Sequence, residues 1–393
     1  MPVRTQAHVL LTLGQTVGEL LDGAPAASVL DGAVLLAGRV VLLAARRDGG
    51  RGGAGGEGQA KNQKGSHGDY ENYQSSGVPA RGGRVMVPWR DGRATRRHMA
   101  VRVGIIGSPG LAQALGIPGK GESHILETPF GPHAGPIVTT ELDGVSVAYV
   151  ARHGTGHVYN ATRAPYRANM YALKVLGVTH VLATGTVGSL REHIHPLHLA
   201  LPDQVIDRTY RRPCTFYDDV AVHVDLGNPF CGTLRQVLEH ARDPLGPTVH
   251  AEATYVCIEG PSLSTRAESM LYRTWGGDLV GMTGMPEARL AREAELHYAM
   301  VALPTDYDSW QPRAPGQEHD DLLAQVSHNR KAVTASGAAL IRRALPRIGE
   351  ARAICRCDTA LALAIGTERS RIPDEVRGRL RPLLGRYLPP NVA

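Results

Sequence analysis

Residues 101–110 read VRVGIIGSPG, and the reading of this run decides the fold. Its first six residues are apolar but for Arg102 and Gly104, and they pass without alternation into Gly107-Ser108-Pro109-Gly110. A near-continuous apolar run marks a strand covered on both faces, as parallel sheets require, and the glycine-rich turn hands the chain to whatever follows. The same texture returns at 145–150, 178–184, 278–282 and 297–303. Helical patterns lie between these runs. Thr265 and Glu268 have capping-box spacing, and Ala267, Met270, Leu271 and Trp275 recur at helical intervals until Gly276-Gly277. Leu234, Val237, Leu238 and Ala241 mark a second amphipathic helix, and Val376, Leu380, Leu383, Leu384 and Tyr387 a last one. Strands alternating with helices imply an α/β fold.

The first hundred residues have another character. Residues 47–65 (RDGGRGGAGGEGQAKNQKG) have the composition of a flexible linker, and the apolar stretch 29–45 before them fits either one helix or a hairpin. The expected organisation is an N-terminal extension, 1–98, followed by a catalytic domain, 99–388. Met99 is then a candidate start, a hypothesis that the intact mass of the native protein decides; a small partner-binding module is the alternative. Of the net charge of +6, residues 1–100 supply +5, with 13 Lys and Arg against 8 Asp and Glu. The rest is near neutral, so no nucleic-acid partner is expected. Asp31 and Arg39 interrupt the best membrane-span candidate, 26–45, and no secretory pattern opens the chain. Five cysteines, an odd number in a long chain, argue against a disulfide framework. A cytoplasmic protein without a membrane partner is expected.

The polar clusters fall just after the strands. Gly107-Ser108-Pro109-Gly110 follows the first, Arg152-His153-Gly154 the second, Thr184-Gly185-Thr186 the third, Met282-Thr283-Gly284 the fourth and Thr305-Asp306-Tyr307-Asp308 the fifth. Ligands of α/β sheets bind beyond the carboxyl ends of the strands, so the five clusters converge on one site. Glycine turns admit backbone N–H groups to an anion, and Arg, His and Thr add charge and donors. A strand-end aspartate suits a base that presents donors or takes a proton. The expectation is an anion pocket facing a carboxylate. His157, His193, His195 and His198 raise the question of a metal; they lie in loops, and none is expected. Cys355 and Cys357 read as a redox pair or as two idle thiols. No G-x-S-x-G or Walker A run is present.

Eight blocks, in order, carry a family likeness. They are VGIIGSPGL (103–111), ARHG (151–154), GSLRE (188–192), DRTYRRPCTFYD (207–218), PFC (229–231), IEGPSLSTRAES (258–269), GMTGMPEARLARE (281–293) and TDYDSW (305–310). From about residue 100 onward the chain resembles the methylthioadenosine branch of the trimeric purine nucleoside phosphorylases. The resemblance implies one α/β domain with a mixed, partly closed sheet flanked by helices, assembled as a homotrimer. It implies phosphorolysis of S-methyl-5'-thioadenosine or a related 6-aminopurine nucleoside, with inorganic phosphate as co-substrate and no cofactor. Ser108, Arg152, His153, Gly185, Thr186 and Thr283 are then the phosphate-binding positions. Thr184, Leu263, Met282, Asp306, Asp308 and His223 contact the nucleoside, His223 from a neighbouring subunit. Asp306 and Asp308 are the catalytic pair.

Departures from the family pattern touch several contacts. Where its first loop reads Gly-Gly-Thr-Gly, with the Thr hydroxyl on phosphate, this chain has Pro109, which offers neither hydroxyl nor N–H. Ser108 is left to compensate. Leu263 replaces a base-stacking Phe, Gly281 an Asn common in eukaryotic members, and Gly185 a Thr. Two alternatives stay open: a phosphorylase of 6-oxopurine nucleosides, or a catalytically weakened nucleoside-binding protein.

Overall fold

Long apolar runs become central strands because both of their faces can be buried, and β13 (His297–Asp306) illustrates this. Tyr298, Met300 and Ala302 face one core, while Ala299, Val301 and Leu303 face another on the opposite side of the sheet. The computed structural model describes residues 33–36, 39–42, 102–312, 319–349 and 355–388. The chain divides between Gly77 and Val78 into two units. In the first, β1 (Ala33–Leu36) and β2 (Arg39–Leu42) pair antiparallel, so the hairpin, not the helix, is adopted within 29–45. The Gly-rich stretch 47–65 lies outside the described residues.

The second unit carries an 11-stranded mixed sheet. Its parallel centre is β3 (Arg102–Gly107), β6 (Val145–Ala151), β7 (His180–Ser189) and β13. β4 (Glu122–His124) and β5 (Ile137–Leu142) extend it antiparallel beyond β6. On the other side β13 meets β8 (Leu199–Ala200), which pairs with β10 (Val249–His250). A branch leaves β7 through β12 (Leu279–Gly281) to β11 (Thr254–Ile258) and β9 (Gln204–Arg208). The mixed sheet agrees with expectation, but among the described strands it is open and not partly closed. The physical reason is the branch: β12 turns antiparallel against the end of β7 and takes three strands away from the main row.

Helices cover both faces. α1 (Pro109–Leu115), α3 (Gly232–His240) and the long α6 (His319–Ile348) enclose one core. α2 (Tyr166–Val175), α5 (Gly284–Glu293) and the C-terminal α7 (Asp374–Arg379) and α8 (Arg381–Leu384) enclose the other. The last pair was legible as one helix; it breaks at Leu380, because Pro382 has no N–H to continue the ladder. α4 (Arg266–Thr274) starts with the expected capping box between Thr265 and Glu268. Its apolar stripe, however, points outward. Met270, Leu271 and Trp275 are exposed, and Ser269 and Tyr272 are the residues it buries.

α6 explains a glycine in the middle of a helix. A β-carbon on Gly337 would lie 2.8 Å from Leu303 Cδ2, inside the core between α6 and β13. The glycine costs about 1 kcal/mol of helix propensity and in return lets the helix lie close on the strand that ends at Asp306. Near that end Asn329 Nδ2 donates to the Thr305 carbonyl at 2.8 Å. Gly337→Val should therefore lower unfolding stability by about 2 kcal/mol in denaturant titration, through overpacking. A variant as stable as the parent would mean that α6 can move off the sheet without loss.

Candidate active site

The crevice arises where β7 changes partners. On one edge β7 pairs with β3 as far as Ile106 opposite Ala183, and then with β12 from Gly188 opposite Val280. Residues 184–187 have no ladder partner on that edge, and the ends of β3, β6 and β12 surround them. A crevice at such a switch in strand order is where sheets of this class take ligands.

Arg152 follows β6, and its N–H donates to the carbonyl of Gly107 at the end of β3 (3.0 Å). Its side chain is 2% exposed. Nε donates to Glu287 Oε1 at 2.5 Å, Nη2 to Glu287 Oε2 at 2.9 Å and Nη1 to the Thr184 carbonyl at 2.8 Å. Glu287 also accepts from the Tyr298 hydroxyl at 3.0 Å. Burial disfavours the Arg152 charge, but Glu287 more than offsets it and keeps the guanidinium protonated. Three of its five N–H groups are spent on these bonds. Glu287 lies in the block 281–293, yet nothing in its spacing identifies it as the partner of a residue 135 positions away.

Thr184, Gly185 and Thr283 pack around the same point. A β-carbon on Gly107 would lie 2.9 Å from Thr184 Oγ1, and one on Gly185 would lie 2.8 Å from Thr283 Oγ1. Gly185 thus admits the Thr283 hydroxyl to β7. Thr283 caps α5 without using its side chain, and Ser108 likewise leaves its hydroxyl out of the cap of α1. Thr186 is exposed at the rim. Beside them, the space of the absent Gly281 side chain is filled by Tyr255: a β-carbon there would lie 2.4 Å from the phenol oxygen. That oxygen accepts from Thr283 N at 3.1 Å and so fixes the threonine backbone. Tyr255 was not singled out in the sequence, since a tyrosine in a buried strand reads as core.

His153 is buried, and its Nδ1 lies 2.9 Å from the Tyr159 carbonyl, which can only accept. Nδ1 therefore carries the hydrogen. Burial first, and then the charges of Arg152 and His157, push its pKa down to about 3. The ring is neutral near pH 7 and presents Nε2 as an acceptor, suited to a protonated phosphate oxygen; sequence reasoning had treated His153 as a donor. His157 stacks on it at 4.2 Å, whereas His195 and His198 gather elsewhere with His250.

Asp306 ends β13, buried, opposite Gly188 across a register shift. Its Oδ1 accepts from the Thr305 hydroxyl at 2.7 Å and its Oδ2 from Asp308 N at 3.1 Å, so the carboxyl group is held from two sides. Asp308 enters the left-handed region (φ 24°), and burial raises its carboxyl pKa while nearby serine hydroxyls work against the rise. Ser309 Oγ donates to the Ser264 carbonyl at 2.8 Å, which ties this turn to the exposed Leu263. Met282 packs under Gly260, and its carbonyl accepts from Arg212 Nη1 at 2.6 Å. Arg212 is itself buried against Glu259. The structure thus brings together the candidates on the five strand-end loops and joins Leu263 to them. His223 stands apart: it is exposed, and its N–H donates to the Ala364 carbonyl at 2.9 Å.

A buried cation, hydroxyls and a histidine thus gather around β7, and a fixed carboxyl group ends the neighbouring β13. The chain belongs to the phosphorylase superfamily, whose family model matches residues 103–342. It is 41% identical over 290 residues to the S-methyl-5'-thioadenosine phosphorylase of Koribacter versatilis, covering 74% of this chain and 97% of that one. A methylthioadenosine phosphorylase from an antarctic soil metagenomic library, solved as a crystal structure, superposes with a TM-score of 0.62 at 42% identity, covering 72% and 99% of the two chains. The Schistosoma mansoni methylthioadenosine phosphorylase in complex with adenine does so with a TM-score of 0.61 at 35% identity, covering 67% and 97%.

The neutral His153 has a consequence for stability. Its folded pKa lies below the ordinary 6.5, so protonation favours the unfolded chain. Its contribution is complete above pH 6.5 and is lost as pH falls toward 3, up to about 5 kcal/mol in phosphate-free buffer. In His153→Asn the fall in stability below pH 6.5 should be shallower than in the parent; parallel curves would show that His153 is not buried in its neutral form.

Proposed function

We propose that this chain cleaves S-methyl-5'-thioadenosine, or a close 6-aminopurine nucleoside, with inorganic phosphate, releasing adenine and 5-methylthioribose 1-phosphate. The observation that carries the reading is the Asp306 carboxyl group, held by Thr305 and Asp308 at the end of β13, which pairs with the β7 strand whose Thr184 carbonyl meets Arg152. Departing adenine presents N6–H donors and must gain a proton at N7. A carboxyl group accepts from N6–H and, in its protonated form, delivers the N7 proton. A 6-oxopurine would instead set its O6 against this acceptor, which favours the 6-amino base.

On the other side, Arg152, Thr283 and the backbone at 184–186 hold phosphate, and His153 takes a hydrogen bond from its remaining O–H. Phosphate attacks the anomeric carbon from the face opposite the base. Its charge stabilises the positive charge that develops on the sugar as the glycosidic bond loosens. Met282 and Leu263 contact the nucleoside. The reaction needs no cofactor in this scheme. Residues 99–388 are the catalytic domain, with 1–98 as an extension, and the cytoplasm is the proposed location. We place His223 at the 5' end of a neighbouring subunit's nucleoside in a homotrimer; the exposed Met270, Leu271 and Trp275 offer copies of the chain apolar area to bury.

The deciding experiment is adenine release from methylthioadenosine, with and without phosphate, by the parent and by Asp306→Asn. Phosphate-dependent release that falls by about 10²–10⁴ in the variant is expected. A shift of turnover to 6-oxopurines would assign Asp306 to base choice alone, and a parent that binds nucleoside without turnover would favour the binding-protein reading. Pro109→Thr should lower the KM for phosphate about tenfold by restoring a hydroxyl and an N–H. An unchanged KM would show that the first loop does not reach the anion.

A further inference from the structure

Four ligating groups from three distant parts of the chain meet away from the crevice. Cys231 caps the N-terminus of α3, His297 is the first residue of β13, and Cys355 and Cys357 lie on the segment that leads to α7. Cys231 Sγ lies 3.5 Å from Cys355 Sγ and 3.4 Å from His297 Nδ1, and Cys355 Sγ lies 3.2 Å from the same nitrogen. With Cys357 added, all four ligand atoms fall within 4.8 Å of one another. Among the described residues this is the one such grouping. We infer that Cys231, His297, Cys355 and Cys357 bind a structural zinc ion as a Cys₃His site.

The spacing fits the ion. Tetrahedral zinc, with Zn–S of about 2.3 Å and Zn–N of about 2.0 Å, sets its ligand atoms roughly 3.5–3.8 Å apart. The four side chains therefore need only small adjustments. Three thiolates and an imidazole are a donor set that selects zinc over magnesium or calcium, and four protein ligands leave no position open for a substrate. Burial agrees, since Cys231 is 1%, Cys357 2% and His297 7% exposed. The surroundings also support metal-bound thiolate. Leu234 N donates to Cys231 Sγ at 3.4 Å from the first turn of α3, and His180 stacks on the His297 ring at 4.4 Å, fixing its plane. On binding, the three thiols lose their protons to solvent and the neutral imidazole donates its lone pair, leaving the cluster with one negative charge.

The site fastens the C-terminal segment, and with it the Val222–Ile365 bridge beside His223, to the N-terminal end of β13. The other end of that strand is Asp306, nine residues on and about 30 Å away. The zinc therefore acts on the fold and not on the reaction.

The test uses the full chain, purified under reducing conditions without chelator. About one zinc per chain is expected by elemental analysis, falling to under about a tenth in Cys355→Ser/Cys357→Ser. Should that double variant fail to fold, cobalt loaded into the parent chain keeps the proposal testable. Intense visible bands of tetrahedral thiolate cobalt are expected. A chain that takes up neither metal overturns the site. Peptide mapping that finds two of the three cysteines joined in a disulfide in freshly prepared, reduced-handled protein overturns it as well.

Discussion

The change of partner along β7 is the constraint on which the rest depends. A strand that pairs continuously on both edges offers no opening. β7 leaves β3 after Ala183 and takes up β12 only at Gly188, so the backbone between is bare on one edge. The loops that follow β3, β6, β12 and β13 are brought to that gap by the register of the sheet. The branch that keeps the sheet open and the gap along β7 are thus one feature.

An opening of this kind exposes buried polar groups, and two internal ion pairs manage them. Arg152 with Glu287, and Arg212 with Glu259, cross between elements far apart in sequence. Such pairs add little net stability over apolar packing, but removing one partner leaves a buried charge uncompensated. Here they fix direction: Arg152 is aimed by Glu287 and by the Thr184 carbonyl, and Arg212 holds the carbonyl of Met282 in the neighbouring loop. The side chain of Arg152 and the loop at Met282 are thus each set by a buried carboxylate.

Much of the centre was legible in sequence. Unbroken apolar runs marked β3, β6, β7, β12 and β13 within a few residues, because burial on both faces leaves no room for polar alternation. β4, β5 and β9, at or next to the margins of the sheet, were missed, since their half-exposed residues, such as Glu122-Ser123-His124, carry no such run. α6 was missed; it carries Gly337 and Pro346, both poor helix formers, and the glycine is required by contact with Leu303. The exposed stripe of α4 shows the opposite error, periodicity without burial. Among site residues, chemistry at strand ends pointed to Arg152, Thr283 and Asp306. Glu287, Tyr255 and Asn329 were not legible, because their roles come from contacts across the fold and not from local pattern. The same holds for Cys231 and His297, which lie 66 residues apart and far from Cys355 in the chain.

The contact between Gly281 and Tyr255 couples two positions of the site. With the phenol oxygen occupying the space of a side chain at 281, the two positions no longer vary independently. Asn at 281 would collide with the tyrosine, while loss of the tyrosine alone removes the anchor of the Thr283 backbone and leaves a hole. A larger residue at 281 is therefore accommodated only together with a smaller one at 255, and the Thr283 backbone then loses its anchor.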